Sequence, residues 1–240
     1  MAMMNKTIVH GRPDERFESV LVFDDAAPGP VPGILLVPNV MGLKPSDIEL
    51  ASKMAALGYA VLACDIFGQG KRPTLENPTE YMDVLRADRG LLRDRLHASL
   101  ATLKEQSQVD AHNAVAIGYC FGGQCAIDMV RSGADILGAI SFHGVLDAPD
   151  YPIVTPAKAK LMILHGWNDP ICPPDAVKGI AKELTDAGID WHLHAYGHAG
   201  HSFTHAATTP RAGFGYNEPA DRRSWLAMQI FLSELFAEAG

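Results

Sequence analysis

Short apolar runs alternate with longer segments whose apolar residues recur at helical spacing. Residues 33–37 (GILLV) and 59–64 (YAVLAC) are rich in Val, Ile and Leu and are too short for buried helices, which indicates buried strands. Between them, residues 46–57 are predicted to be a helix, because a Pro-Ser pair opens the segment and a glycine ends it. The same patterns predict strands at 114–119, 137–142, 161–164 and 191–196, and helices at 83–103, 121–131, 175–187 and 218–237.

This alternation predicts an α/β fold with a mostly parallel central sheet and helices on both faces, because each helix connects two parallel strands. The Pro/Gly-rich stretch 26–33 is expected to join an N-terminal antiparallel strand to the sheet. No linker or composition shift divides the chain, so residues 1–240 are predicted to form a single domain. In such sheets, chemistry is expected in the loops beyond the carboxyl ends of the strands.

The composition limits the kinds of molecule that the protein is expected to bind and the cell compartment in which it is expected to occur. Hydrophobic residues make up 48% of the chain and charged residues 20%, which is typical of a globular protein, and the net charge of −8 argues against nucleic-acid binding. No apolar run approaches the ~18 residues of a membrane helix, and no secretory signal is visible, so no membrane contact is predicted. The 4 cysteines include no CxxC pair, which predicts free thiols and a cytoplasmic location.

The most informative segment is residues 116–123 (AIGYCFGG), which follows a predicted strand and precedes a predicted helix. It has the spacing of a nucleophile elbow, with Cys120 in the position that serine usually occupies. Gly118 and Gly122 suit the close approach of strand and helix at this turn. The turn is expected to lift Cys120 to a helix N-terminus, which favours the thiolate, and the amide of Phe121 is predicted to be one oxyanion donor.

Two later loops supply the partners that a cysteine nucleophile needs. Asp169 follows the predicted strand 161–164, and His201 follows the predicted strand 191–196. The order nucleophile, acid, histidine is that of a hydrolase built on a nucleophile elbow. We therefore predict that Cys120, Asp169 and His201 form a catalytic triad, in which Asp169 orients His201 and His201 exchanges protons with Cys120 and the leaving group.

Five segments in this order, covering most of the chain, resemble the dienelactone hydrolase family of α/β hydrolases: 38–43 (PNVMGL), 65–68 (DIFG), 118–123 (GYCFGG), 165–169 (HGWND) and 199–203 (AGHSF). The resemblance implies an α/β-hydrolase fold without a cap domain, no cofactor, no metal and a small-molecule substrate. It maps the family triad onto the same three residues and the second oxyanion amide onto Val40. The oligomeric state is not predicted.

Two positions depart from the founding members of the family. They carry a glutamate where this chain has Asn39, and an arginine for the substrate carboxylate where this chain has His205. Arg86 and Arg89 are candidates for a second carboxylate-binding arginine, but we expect them on a solvated helix face. A neutral carboxylic ester or lactone is therefore the expected substrate. Asn39, Met41, Trp167, Phe203 and His205 are the predicted substrate-binding residues.

Some members of the family known from environmental DNA are associated with phosphotriester hydrolysis, and this chain looks like such a member. The resemblance implies that phosphotriesters are a second, promiscuous substrate class. A covalent intermediate on the thiol of Cys120 is expected for both classes.

Two alternatives remain open. The segment 192–205 contains His192, His194, His198, His201 and His205, so a metal-dependent hydrolase is conceivable, although no HExxH motif accompanies them. Oxidation of Cys120 could instead serve a thiol redox or sensor protein, although no resolving cysteine is evident. A chelator and a thiol reagent distinguish the metal-dependent and thiol-dependent hypotheses.

Overall fold

The computed structural model describes residues 2–238, in two compact units, Met1–Ile117 and Gly118–Gly240. The single domain over residues 1–240 stays a prediction. The first unit contains the strands β1 (Met3–Arg12), β2 (Glu15–Asp24), β3 (Val31–Val37) and β4 (Ala60–Ala63), the helices α1 (Pro45–Ala55), α2 (Glu80–Ala87) and α3 (Arg89–Lys104), and most of β5 (Val109–Tyr119). The second contains the helices α4 (Phe121–Arg131), α5 (Pro174–Asp186) and α6 (Glu218–Glu238) and the strands β6 (Gly138–Phe142), β7 (Lys160–Gly166) and β8 (Trp191–Tyr196).

The strand pairings confirm the α/β class. In the first unit, β1 and β2 form an antiparallel hairpin, β2 pairs antiparallel with β4, and β3 pairs parallel with β4. In the second unit, β6, β7 and β8 are parallel neighbours in that order. Every residue of β6 is buried, as is typical of a parallel strand covered on both faces, and this explains its continuous apolar sequence.

The prediction of one helix over residues 83–103 is wrong. The segment forms two helices, α2 and α3, which are separated at Asp88. Asp88 has φ −128° and ψ 85°, outside the helical region, and its side chain accepts a hydrogen bond from the N–H of Leu91 at 2.8 Å. The aspartate is thus the N-cap of a new helix, and the apolar spacing continues across the break because leucines on both helices are buried.

A buried arginine anchors the C-terminal end of α4. Arg131 is fully buried, and its Nε and Nη2 donate to the two carboxylate oxygens of Glu183 on α5 at 2.7 and 2.8 Å. Its remaining donors reach Asp128 Oδ1 at 3.2 Å and the carbonyl oxygens of Leu146 and Asp147 at 3.1 and 2.9 Å. A bidentate arginine–carboxylate pair is geometrically specific, so this cluster fixes the helix that begins beside Cys120.

Candidate active site

Cys120 lies at a strained turn between β5 and α4. Its φ of 55° is in the left-handed region, which is unusual for a residue other than glycine, and its N–H donates to the carbonyl of Phe142 at 3.0 Å. An added Cβ at Gly118 would overlap the carbonyl oxygen of Gly122, and one at Gly123 would lie 2.8 Å from the Cα of Gly144. The turn that the GYCFGG segment predicts is therefore present, and it needs these glycines.

Asp169 lies in the loop after β7, and both of its carboxylate oxygens have partners. The residue is buried, and its N–H donates to the carbonyl of Gly166 at 3.0 Å. Oδ1 accepts from the N–H of Ile171 at 2.8 Å, and Oδ2 lies 2.7 Å from Nδ1 of His201. One oxygen thus fixes the carboxylate to its own loop while the other faces the imidazole.

His201, in the loop after β8, connects this carboxylate to the thiol. Its Nε2 lies 3.0 Å from the Sγ of Cys120, while its Nδ1 faces Asp169. Burial alone would lower the pKa of His201, but the hydrogen bonds with Asp169 and Cys120 outweigh it and raise the pKa to about 9. The imidazole is therefore protonated at neutral pH, where both ring nitrogens act as donors.

The backbone of His201 is also tied down. Its N–H donates to the carbonyl of Gly213 at 2.7 Å, and its own carbonyl accepts from the N–H of Gly215 at 3.1 Å. The ring of Phe214, which lies between these glycines, packs edge-on against the imidazole with centroids 5.6 Å apart. The guanidinium of Arg211 lies 4.0 Å above the Phe214 ring.

His143, which no sequence motif singled out, lies beside His201, and the two rings meet edge-on with centroids 5.2 Å apart. His143 is buried, its φ is 39°, and its Nε2 lies 2.8 Å from Oγ1 of Thr204. Burial, reinforced by the charge of His201, holds the pKa of His143 well below its usual value, so the ring is neutral. A signal was present, because a His-Gly pair directly follows the strand β6 just as His165-Gly166 ends β7.

The two predicted oxyanion donors lie in different units, and each can be described only locally. Phe121 is the first residue of α4, directly after Cys120, and its side chain is buried. Val40 is half-buried in the loop between β3 and α1 of the first unit. Its N–H makes no hydrogen bond within the described residues 2–238.

The predicted substrate-binding residues have different surroundings. Asn39 and Met41 are half-buried in the loop that holds Val40, and the Oδ1 of Asn39 accepts from the N–H of Met41 at 3.0 Å. Trp167 is 44% exposed in the Asp169 loop, and His205 is exposed after the His201 loop. Phe203 is fully buried against His143, with ring centroids 5.2 Å apart, so it contacts the side chains around His201.

The two candidates for a second carboxylate-binding arginine differ in exposure. Arg86 is exposed on α2, as expected of a solvated helix face, but Arg89 is only 5% exposed. The expectation of a solvated Arg89 is wrong, because the break at Asp88 makes Arg89 the first residue of α3 and turns it inward.

In the histidine-rich segment, the rings of His192 and His194 lie 5.6 Å apart between centroids, and the other histidines have different surroundings. His192 is half-buried on β8 and packs edge-on against Phe231, His194 and His198 are exposed, and His201 is engaged by Asp169. No group of three or more His, Cys, Asp or Glu side chains with the arrangement of a metal site occurs between residues 2 and 238.

Apart from Cys120, the cysteines are buried. Cys64, Cys125 and Cys172 are all buried, and none of them forms a disulfide. Burial, together with the charge of Asp169, raises the pKa of the Cys172 thiol to about 12, and its Sγ donates to the carbonyl of Gly144 at 3.5 Å. Only Cys120 combines partial exposure with a histidine partner.

Among the helices within residues 2–238, none has the length and apolar character needed to cross a membrane.

Comparison with known proteins identifies the relatives of this chain. A dienelactone hydrolase-like promiscuous phosphotriesterase from metagenomic libraries superposes with a TM-score of 0.90 and 30% identity, covering 98% of this chain and 99% of its own. An uncharacterized protein of Caenorhabditis elegans is 35% identical over 152 residues, 62% of this chain and 96% of the relative. A Salmonella typhimurium protein named as a carboxymethylenebutenolidase is 24% identical over 233 residues, 90% of this chain and 80% of the relative.

The family model described as the dienelactone hydrolase family matches residues 17–236, almost the whole chain. The resemblance carried by the five sequence segments is thereby confirmed, and so is the α/β-hydrolase fold. The chain belongs to the dienelactone hydrolase family, and it is a hydrolase that acts on ester or lactone bonds.

Proposed function

We propose that this hydrolase uses Cys120 as a nucleophile against neutral carboxylic esters and lactones, through a covalent thioester. The observation that carries the proposal is the line of contacts from Asp169 Oδ2 to His201 Nδ1 (2.7 Å) and from His201 Nε2 to Cys120 Sγ (3.0 Å). Asn39 and His205, in place of charged residues of the founding members, support a neutral substrate.

In the first half-reaction, the thiolate of Cys120 attacks the carbonyl carbon. A sulfur–carbon bond forms while the carbonyl electron pair moves to oxygen, and the N–H of Phe121, the residue after Cys120, holds that oxyanion. The carbon–oxygen bond of the ester then breaks, and the Nε2 proton of His201 passes to the departing oxygen. The raised pKa of His201 supports this role, because the imidazole carries the required proton at neutral pH.

In the second half-reaction, water cleaves the thioester. His201, now neutral, takes a proton from water as hydroxide adds to the thioester carbonyl. The sulfur–carbon bond breaks, which releases the carboxylic acid and restores the thiolate beside a protonated imidazole. Asp169 holds the imidazole orientation throughout.

Phosphotriester hydrolysis is the second activity that we propose for the same site. It is favoured by the likeness, at 30% identity over 98% of this chain, to a promiscuous phosphotriesterase. The thiolate would displace an aryloxide from phosphorus, and water would then cleave the phosphorus–sulfur bond with His201 as base. The cytoplasm is the proposed compartment, because none of the four cysteines forms a disulfide.

The test combines stopped-flow release of p-nitrophenol with intact-protein mass during turnover. A neutral p-nitrophenyl ester and an aryl dialkyl phosphate are each expected to give a burst of one equivalent and an acyl or phosphoryl adduct that maps to Cys120. Cys120→Ala should lose both burst and adduct and at least ~10³-fold in kcat, since removal of a nucleophile leaves only binding and oxyanion stabilisation.

Cys172→Ala is the matched control, because this buried thiol has a pKa raised to about 12 and should form no adduct. Turnover that survives in Cys120→Ala would overturn the mechanism. Loss of activity to a chelator, with no adduct, would instead favour a metal held by the segment 192–205.

A further inference from the structure

His143 lies in the turn after β6, and the backbone of this turn is fixed on two sides. The N–H of His143 donates to the carbonyl of Leu164 on β7 at 2.8 Å. At the next residue, Gly144, an added Cβ would lie 2.7 Å from the carbonyl carbon of Gly123 in the first turn of α4. The turn is therefore packed between a strand and a helix, which hold His143 at a φ of 39° that few residues other than glycine adopt.

The imidazole of His143 contacts both the nucleophile elbow and the loop that carries His201. It is buried, and its centroid lies 6.0 Å from the ring of Tyr119, the residue before Cys120. On the other side it lies 5.2 Å from the rings of His201 and Phe203, and both pairs meet edge-on. One buried ring thus touches the two segments that meet where His201 Nε2 lies 3.0 Å from Cys120 Sγ.

A hydrogen bond fixes the orientation of this ring. Nε2 of His143 lies 2.8 Å from Oγ1 of Thr204, which follows His201 by three residues in the same loop. Nδ1 is buried and has no hydrogen-bond partner within residues 2–238. A buried N–H without a partner is rarer than a buried acceptor without one, so the proton of the neutral ring is expected on Nε2, where it is donated to the threonine hydroxyl.

We propose that His143 is a positioning residue, which holds the loop and the imidazole of His201 at the distance from Cys120 that proton transfer requires. The inference rests on the proposed function, because it takes His201 as the group that exchanges protons with Cys120 and the leaving group. Burial, reinforced by the charges of His201, His205 and His165, keeps the pKa of His143 low. A neutral replacement at position 143 therefore changes the contacts of His201 without changing the charge beside it.

His143→Asn is the first test, because asparagine tolerates the positive φ and lacks the ring that packs against His201. The kcat for a neutral p-nitrophenyl ester should fall about 10- to 100-fold, as expected when a reacting group is displaced by a fraction of an ångström. The contact with Cys120 is one cause of the raised pKa of His201, about 9. A loosened contact should therefore move the alkaline limb of kcat/KM to lower pH, which a loss of stability alone would not do.

Two variants of Thr204 test the hydrogen bond separately and keep the test open if His143→Asn does not fold. Thr204→Val keeps the shape and removes the hydroxyl, so kcat should fall about three- to tenfold with a shift of the alkaline limb in the same direction. Thr204→Ser keeps the hydroxyl and should retain most of the kcat that Thr204→Val loses. Thr7→Val, at an exposed position on β1, is the matched control and should change neither kcat nor the limb.

An unchanged kcat in both His143→Asn and Thr204→Val would overturn the proposal. A fall in kcat with the alkaline limb still near pH 9 would overturn it too, because His143 would then support the fold without acting on His201.

Alkylation of Cys120 by iodoacetamide separates this proposal from the proposed function, because it needs the thiolate beside His201 but no turnover. Its rate at neutral pH should fall about three- to tenfold in His143→Asn and stay unchanged in Thr7→Val, and an unchanged rate in His143→Asn would contradict the positioning role. Failure of the proposed function would appear as turnover in Cys120→Ala, whatever the alkylation rates are.

Discussion

At the scale of single residues, Asp169 controls the protonation of His201. The imidazole is buried, and burial alone would favour its neutral form, so the charge needs the carboxylate at 2.7 Å. The second oxygen of Asp169 is already bonded to the N–H of Ile171, which prevents the carboxylate from rotating away. A neutral amide at this position would keep the shape and lose the charge.

Asp169→Asn should therefore lower the pKa of His201 from about 9 and reduce kcat/KM about 10²- to 10⁴-fold. In the proposed mechanism the leaving group takes its proton from His201, so activity of the unaltered enzyme should decline as the pH rises through about 9. In Asp169→Asn the same alkaline limb should move to lower pH. The measurement is the pH profile of kcat/KM for a neutral ester.

Asp175→Asn, on the exposed face of α5, is the control for this change and should keep the alkaline limb in place. An unshifted limb in Asp169→Asn would show that another group sets the protonation of His201.

The contacts among Cys120, His201 and Asp169 could be predicted from the sequence because each residue lies in a turn or loop that follows a strand. His143 occupies the same kind of position after β6, but a single histidine that belongs to no motif does not by itself predict a functional residue. Its contact with His201 depends on the loop after β8, where His198 and Ser202 have positive φ values. Apolar periodicity carries no information about such a loop.

At the scale of elements, the elbow depends on how closely β5 and α4 approach. Gly118→Ala should lower the free energy of unfolding by ~3 kcal/mol or more, because the new Cβ would overlap the Gly122 carbonyl. Gly179→Ala, in the middle of α5 with nothing within 4 Å of the added Cβ, should raise it by ~1 kcal/mol through helix propensity. Urea denaturation of both variants measures the contrast.

A small effect of Gly118→Ala, similar in size to that of Gly179→Ala, would contradict the tight elbow. The paired design matters because both changes add one methyl group, so the opposite signs come from the steric overlap at Gly118 and the gain in helix propensity at Gly179.

The prediction of helices was wrong at Asp88, where a polar residue changes the backbone conformation without interrupting the apolar spacing. Leucines on both sides of Asp88 are buried, so the pattern over 83–103 looks continuous. Asp88 ends α2 and caps α3 within that pattern, and an aspartate inside a helical segment has no separate signature unless its side-chain bond to Leu91 is seen.

At the scale of the whole molecule, buried neutral histidines make stability depend on pH. Burial lowers the pKa of His143 well below its usual value and also lowers that of His165. The unfolded chain protonates such groups near pH 6.5, whereas the folded chain does not until lower pH. Their contribution to stability is therefore complete above about pH 6.5 and is lost as the pH falls below it.

His143→Asn tests this dependence, because asparagine tolerates the positive φ at this position and does not titrate. Between pH 6.5 and 5, the free energy of unfolding of the unaltered protein should fall more steeply than that of His143→Asn, by ~1.4 kcal/mol per pH unit for one proton. His112→Asn, at an exposed position on β5, should keep the full slope. Equal slopes in His143→Asn and the unaltered protein would mean that His143 does not stay neutral in the fold. The comparison of slopes holds even if His143→Asn is less stable at every pH. A loss of packing lowers the free energy of unfolding by the same amount at each pH and leaves its slope against pH unchanged.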